Sequence, residues 1–390
     1  MTLIPISDSI TQLTSNIQIH SNQFFGGGGS GDWTSYIGFF MYIIFFFMIF
    51  YGQRIQTYVM IRDVENNLHK LKFIKEEGRK TAIETLKEVG KPTMDISPRV
   101  DRYLDYFTIG PQGMDPAGIV SKLDHILDVR DQRLKDEVKL MTPECDEVQL
   151  NNMENTLEAA MALNYLYKVV RHYYIQGKKT MSLYIIMQLQ MILPLVMKEA
   201  EAYSAALKAF AYGQPIGDSV GPLIAGKLMR GYEARKVHKD CVVATVPIEG
   251  RTALIMKAEG PGGNVGKPGD AIETIIEENE GKIAMLVMID AGLKLEGEAV
   301  GEVSEGIGSA IGGPGVDAFK IEEKLVKYKI PINAVIIKED IGDAVSPMRK
   351  EIHEAADKAI ERVRELVVER TKEGDTLIIF GVGNSIGIGQ

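Results

Sequence analysis

Apolar residues recur along this chain in three rhythms, and each predicts a different architecture. Across residues 33–53 no position is charged, and residues 39–50 are apolar almost without interruption. Twenty-one helical residues rise about 31 Å, the hydrocarbon thickness of a bilayer. Trp33 and Tyr36 at one end and Tyr51 at the other stand where an aromatic belt would. The pattern predicts a transmembrane helix over residues 33–53. A cleaved secretory signal fits poorly, because residues 1–32 contain no Lys or Arg and the apolar run is too long and too late.

The second rhythm is helical. After the apolar run, Val64, Leu68 and Leu71 fall at i, i+4 and i+7 among charges, predicting a juxtamembrane helix over 54–89 that stops at Gly90-Lys91-Pro92. Residues 93–212 read as all-helical. Asp115-Pro116 signals a start for a helix striped by Ile119, Leu123, Ile126, Leu127, Leu134 and Val138. Thr142-Pro143 repeats that signal for a long helix ending near Gly177, and a third helix runs from Met181 towards Tyr212. Its residues 180–197 are uncharged but include Ser182, Gln188, Gln190 and Pro194. Those polar interruptions favour a buried core helix over a second span, with a membrane-surface helix between the two readings.

From about residue 213 the period shortens. Residues 241–246, 252–258, 283–289, 333–338 and 376–382 are apolar runs of strand length. Between them lie predicted helices over 270–280 (opened by the capping-box-like Asp270-Ala271-Ile272-Glu273), 317–328 and 347–372. Strands alternating with helices predict an α/β domain with a mostly parallel sheet over residues 213–390.

Composition adds limits. At 45% hydrophobic and 25% charged, most of the 390 residues should fold in water. A net charge of −9 argues against a nucleic-acid surface. Cys145 and Cys241 are too few for a disulfide framework or zinc site. No basic residue precedes the apolar helix, whereas Arg54, Arg62, Lys70, Lys72, Lys75, Arg79 and Lys80 follow it. The expected topology is single-pass, with the tail (residues 1–32) outside and the bulk cytoplasmic.

Two acidic turns carry the candidate chemistry. Gly217-Asp218-Ser219-Val220-Gly221-Pro222 opens an apolar helical run, and Ile289-Asp290-Ala291-Gly292 ends a buried strand. In open α/β sheets ligands bind beyond the carboxyl ends of the strands, so Asp290 stands where a catalytic or metal-binding acid belongs. Singly, each Asp also reads as a helix or loop cap. These turns, with Gly312-Gly313-Pro314-Gly315, resemble the fold shared by the spore germination proteases and hydrogenase maturation endopeptidases. That resemblance covers roughly residues 213–320. It implies a phosphorylase/hydrolase-like domain in which Asp218 and Asp290 are the acidic pair; two such carboxylates can act as acid and base on a water or together bind a divalent metal. Those maturation proteases also use a histidine, and neither His238 nor His353 matches its place. They open on a Gly-x-Gly-Asn strand end, whereas here Gly381-Val382-Gly383-Asn384 closes the sequence, so the resemblance implies a circular permutation with the last strand beside the Asp218 loop. As a whole the chain resembles a family of archaeal membrane-anchored proteins with a domain of unknown function, which implies topology and no activity.

Glycine-rich turns let backbone amides approach an anion. Gly262, Gly263, Gly266, Gly312, Gly313, Gly383 and Asn384 are therefore the candidate cofactor-binding positions, with tight turns as the plainer reading. Residues 260–267 fail as a phosphate-binding loop: the glycine spacing is off by one and Pro268 stands where Ser or Thr would bind magnesium. Glu296, Glu298, Glu302 and Glu305 read as a solvated run. Two functions follow as expectations. One is a membrane-anchored, peptidase-like hydrolase using Asp218 and Asp290. The other is a non-catalytic tethered scaffold, or a module for a small anionic ligand such as a nucleotide. The partners expected are the lipid bilayer, a protein or peptide substrate and a second copy of the chain.

Overall fold

The computed structural model describes residues 33–111, 113 and 118–390. The predicted tail and the Asp115-Pro116 start signal lie outside these residues. Two compact units divide the chain, Met1–Val59 and Met60–Gln390. The first helix, α1 (Trp33–Gly90), begins in the first unit, where Trp33, Phe40, Phe45 and Ile49 are all exposed.

In the second unit α1 packs with α2 (Ser97–Leu104), α3 (Ile119–Met141), α4 (Glu147–Thr180) and α5 (Leu183–Ala211). Leu71, Leu86, Leu134, Leu157, Leu163, Ile186 and Leu193 fill this core. Thr142-Pro143 is not the start of α4. The Thr142 hydroxyl donates to the Val138 carbonyl and so closes α3. Asp146 is the N-cap, accepting from Gln149 N at 2.8 Å while the Gln149 side chain accepts from Asp146 N at 3.1 Å. α4 and α5 form a tight hairpin: Met181 is left-handed, Ser182 caps α5, and Gly177 leaves room for Ile186. By length and composition α5 is the helix among the described residues that could cross a membrane; residues 36–49 and 54–90 pass the same test when taken together. α5 is not the wholly buried core helix expected: Ile186, Leu189 and Leu193 are in the core, but its opposite face is exposed.

The remaining elements build one α/β layer structure. After a 3₁₀ turn (Gly217–Ser219) come α6 (Val220–Met229), β1 (Ala234–His238), β2 (Cys241–Ile248), β3 (Arg251–Ala258) and α7 (Pro268–Glu278). β4 (Leu286–Leu293), β5 (Val303–Gly306), α8 (Val316–Tyr328), β6 (Ile332–Glu339), α9 (Lys350–Arg370) and β7 (Thr376–Gly381) follow. The helix predicted from Asp270 begins two residues earlier, with Pro268 in its first turn and Lys267 at the cap.

The described strands form one seven-stranded sheet in the order β1-β2-β3-β7-β4-β6-β5. It is mixed, where a mostly parallel sheet was expected. β3, β7, β4 and β6 run parallel, but β1-β2-β3 is an antiparallel meander and β5 pairs antiparallel with β6. Two-residue links explain the meander: Asp240 and Glu249-Gly250 take left-handed conformations, which reverse the chain without a crossover helix. The polar edge strands β1 and β5 escaped prediction because neither has an apolar run. One sheet face packs on α6 and α9 through Val287, Ile289, Ala359 and Val363, the other on α7 and α8 through Met288, Phe380, Ile275 and Ile321.

Candidate functional site

All four parallel strands end on the same edge of the sheet, and the acidic side chains collect there. β4 carries Asp290 three residues before its end at Leu293, rather than at its end as the sequence suggested, while β6 ends on Glu339 and β7 runs out into Val382-Gly383-Asn384. The Asp218 turn is held against this edge by the segment after β6. Gly217 N donates to Ser346 O at 3.2 Å, Asp218 N to Ala344 O at 3.0 Å, and Met348 N to Pro215 O at 2.8 Å. The two glycines of the turn are required by close approach. A Cβ at Gly217 would collide with the Asp343 carbonyl and the Glu339 carboxylate. At Gly221 it would meet the Val382 carbonyl and stand 2.5 Å from the Ile289 carbonyl, so α6 starts directly on the strand ends.

This packing brings Asp218 and Asp290 close enough for the charge of one to act on the other. It also adds Glu339, which is 3% exposed and has a buried Oε2 without a hydrogen-bond partner. Asp290 is 9% exposed, and its Oδ1 accepts from Ala291 N at 2.8 Å. Asp218, half-buried, accepts from Asn384 N at 2.7 Å through Oδ2. No ion pair joins any of the three to a cation among the described residues. Burial therefore dominates: it pushes the Asp290 carboxyl up to about 8, helped by the charge of Asp218. Glu339 is likewise pushed up to about 8 by burial, then by Asp218, Asp343 and Asp290. Asp218 is raised by burial, but its bond from the Asn384 amide pulls the other way. The charge of Asp218 is in turn among the causes that raise both neighbours.

Glu339 went unnoticed in the sequence. Its signal is a carboxylate closing an apolar strand, and it was lost because the predicted strand ended at Lys338. Among the described residues no three His, Cys, Asp or Glu side chains form the set a metal ion needs. Asp218 and Asp290, the two acids expected to hold a divalent metal, thus have no third such ligand grouped with them there.

The candidate glycines divide into separate places. Gly383, at φ +120°, fits where a Cβ would meet the Asp218 carbonyl. Gly262 and Gly263 face α4: Gly263 N donates to Asn152 Oδ1 at 3.0 Å, and its carbonyl accepts from Asn155 Nδ2 at 2.7 Å. Asn384 Nδ2 donates to Asn155 Oδ1 at 3.0 Å, so the amides of α4 connect the glycine loop to the acidic edge. Gly266, at φ +65°, turns against Cys241. Gly312 and Gly313 lie in the loop before α8, with open space where a Cβ would stand. Of the glutamate run, Glu305 pairs with Arg362 and Glu298 with Lys338, while Glu296 is exposed.

The match to known sequences comes in two blocks. The N-terminal domain of a protein of unknown function, DUF1512, covers residues 38–213, and the C-terminal DUF1512 domain covers residues 216–389. The chain belongs to the DUF1512 family. The junction between the two matches falls just ahead of the Asp218 turn. No curated protein matches the chain.

Proposed function

We propose that this DUF1512 protein is a membrane-anchored hydrolase whose α/β domain cleaves peptide bonds with a pair of carboxyl groups. The observation that carries the proposal is the convergence of Asp218 and Asp290 on one sheet edge, each raised in pKa and neither paired with a cation. Two acids held apart in protonation state can divide the work. Asp218, in its ionised form, takes a proton from the attacking water. Asp290, still protonated at neutral pH, delivers its proton to the leaving amine nitrogen. A second protonated carboxyl, Glu339, donates a hydrogen bond to the oxyanion that forms on the carbonyl.

The buried carboxylates disfavour an anionic ligand at this edge, which sets the nucleotide reading behind the hydrolytic one. The central position of β7 beside the Asp218 turn supports the permuted form of the maturation-protease arrangement. Anchoring by residues 33–53, with the tail outside and the remainder cytoplasmic, is supported by the split of basic residues across that segment.

The test uses the full chain in vesicles with a fluorescence-quenched library of unstructured peptides. Asp218→Asn and Asp290→Asn should each lower turnover on the order of 100-fold or more, with the melting temperature retained or raised. Turnover unchanged by both substitutions, or absent from the parent across the library, would refute the hydrolytic reading.

A further inference from the structure

A surface helix of a water-soluble domain normally turns charged residues to solvent. α5 does not. Residues 180–197 include no charge, and the face turned away from the core carries Tyr184, Met187, Met191, Ile192 and Leu195, between 47% and 79% exposed. Each of these positions lies three or four residues from another of the set, so they form a single stripe. On the opposite side Ile186, Leu189 and Leu193 are at most 5% exposed. A helix apolar on both faces, with only one face covered by protein, lacks an apolar medium for the other.

Crossing the bilayer would strip α5 from α4 and break the bond from Gln190 Nε2 to Asp63 Oδ2, 2.9 Å long. Lying on a bilayer surface would preserve both. Reach allows this. Asp63 is ten residues beyond Gln53, where the uncharged N-terminal segment ends, and ten residues of α1 rise about 15 Å. Charge agrees as well. Arg171 and Lys179 are exposed and have no ion pair among the described residues. Lys179 sits two residues before Met181, and the contact between Gly177 and Ile186 puts Arg171 near the level of Ile192 on the antiparallel neighbour. Unpaired cations beside an apolar stripe match anionic headgroups above an acyl boundary.

We propose that the outer face of α5 lies in the interface of an anionic lipid bilayer, parallel to the membrane plane. It is a second contact beside the N-terminal anchor, and it rests on the anchored reading of residues 33–53. The contact would hold the acidic site at a short, fixed height above the membrane and direct it to membrane-proximal segments of substrate proteins.

Trp33 is the sole tryptophan, so Trp33→Phe provides a silent background. Tyr184→Trp, Met191→Trp and Leu195→Trp are placed in it singly, with Val326→Trp on α8 as the exposed control. The full-length variants are reconstituted into vesicles of phosphatidylglycerol and phosphatidylcholine brominated near the headgroup. The three α5 probes should be blue-shifted and quenched to similar extents, and the control should not be. Adding Arg171→Glu and Lys179→Glu should reduce quenching about twofold or more in anionic vesicles and little in phosphatidylcholine alone. Probes that stay unquenched and open to acrylamide would overturn the contact, and so would probes shielded from acrylamide without lipid quenching, which indicates a second copy of the chain. Depths graded steeply from residue 184 to 195 would mean a span. Protein that fails to float with vesicles at all would refute the anchor, and this contact with it; protein retained but unquenched refutes the contact alone.

Discussion

Asp290→Asn replaces a buried carboxyl by an amide of the same shape, and its effect on stability should depend on pH in an unusual direction. The Asp290 carboxyl is raised from 3.8 to about 8, so the folded state favours its protonated form. Its contribution to stability is complete below about pH 4 and is lost as pH rises towards 8, the reverse of an ion-paired aspartate. At about 1.4 kcal/mol per pH unit, the four units between the two values give a ceiling of about 5–6 kcal/mol. Part of that belongs jointly to Asp218 and Glu339, because removing one charge relieves the others, so about 2–3 kcal/mol is expected for Asp290 alone. An amide carries no charge at any of these pH values, and its oxygen keeps the bond from Ala291 N. The variant should therefore match the parent near pH 4 and become progressively more stable than it up to pH 8. Scanning calorimetry of the two full-length proteins in matched detergent, at half-unit steps of pH, measures the difference directly. A difference that stays flat from pH 4 to 8, or one in which the variant loses ground as pH rises, would refute the reasoning that burial without a cation governs this site.

Two further substitutions test the packing that assembles the edge. Gly221→Ala should cost about 3 kcal/mol or more, read as a fall in melting temperature, because its Cβ would meet backbone carbonyls of Val382 and Ile289 that cannot turn aside. Phe380→Ala, at 2% exposure in the central strand, should cost about 3–5 kcal/mol by the same measurement; a loss under about 1 kcal/mol would mean that β7 contributes little to the core.

Local chemistry was enough to mark most elements. Apolar runs of strand length found β2, β3, β4, β6 and β7, and helical spacing found α7, α8 and α9 to within a few residues, because each signal lies inside the segment it describes. One local signal misled. Thr142-Pro143 looks like a helix start, and only the bond from Thr142 back to Val138 shows that it closes the preceding helix. Sheet direction was similarly out of reach, because an apolar run reads the same in a parallel or an antiparallel neighbour.

For the site, the sequence determined which carboxylates end in positions suited to chemistry, and the tertiary structure decided which of them meet. Asp218 and Asp290 could each have been a solvated cap. Strand order puts β7 beside β4 and lets Gly221 rest against Val382 and Ile289, which draws the Asp218 turn towards Asp290. Glu339, opposite Leu293 on the neighbouring strand, comes within reach of their charge, and Asn155 reaches the same edge from a helix more than two hundred residues before Asn384. Such meetings depend on pairings between distant segments, and their consequence, the raised pKa of groups cut off from water and from cations, belongs to the assembled environment and to no residue by itself.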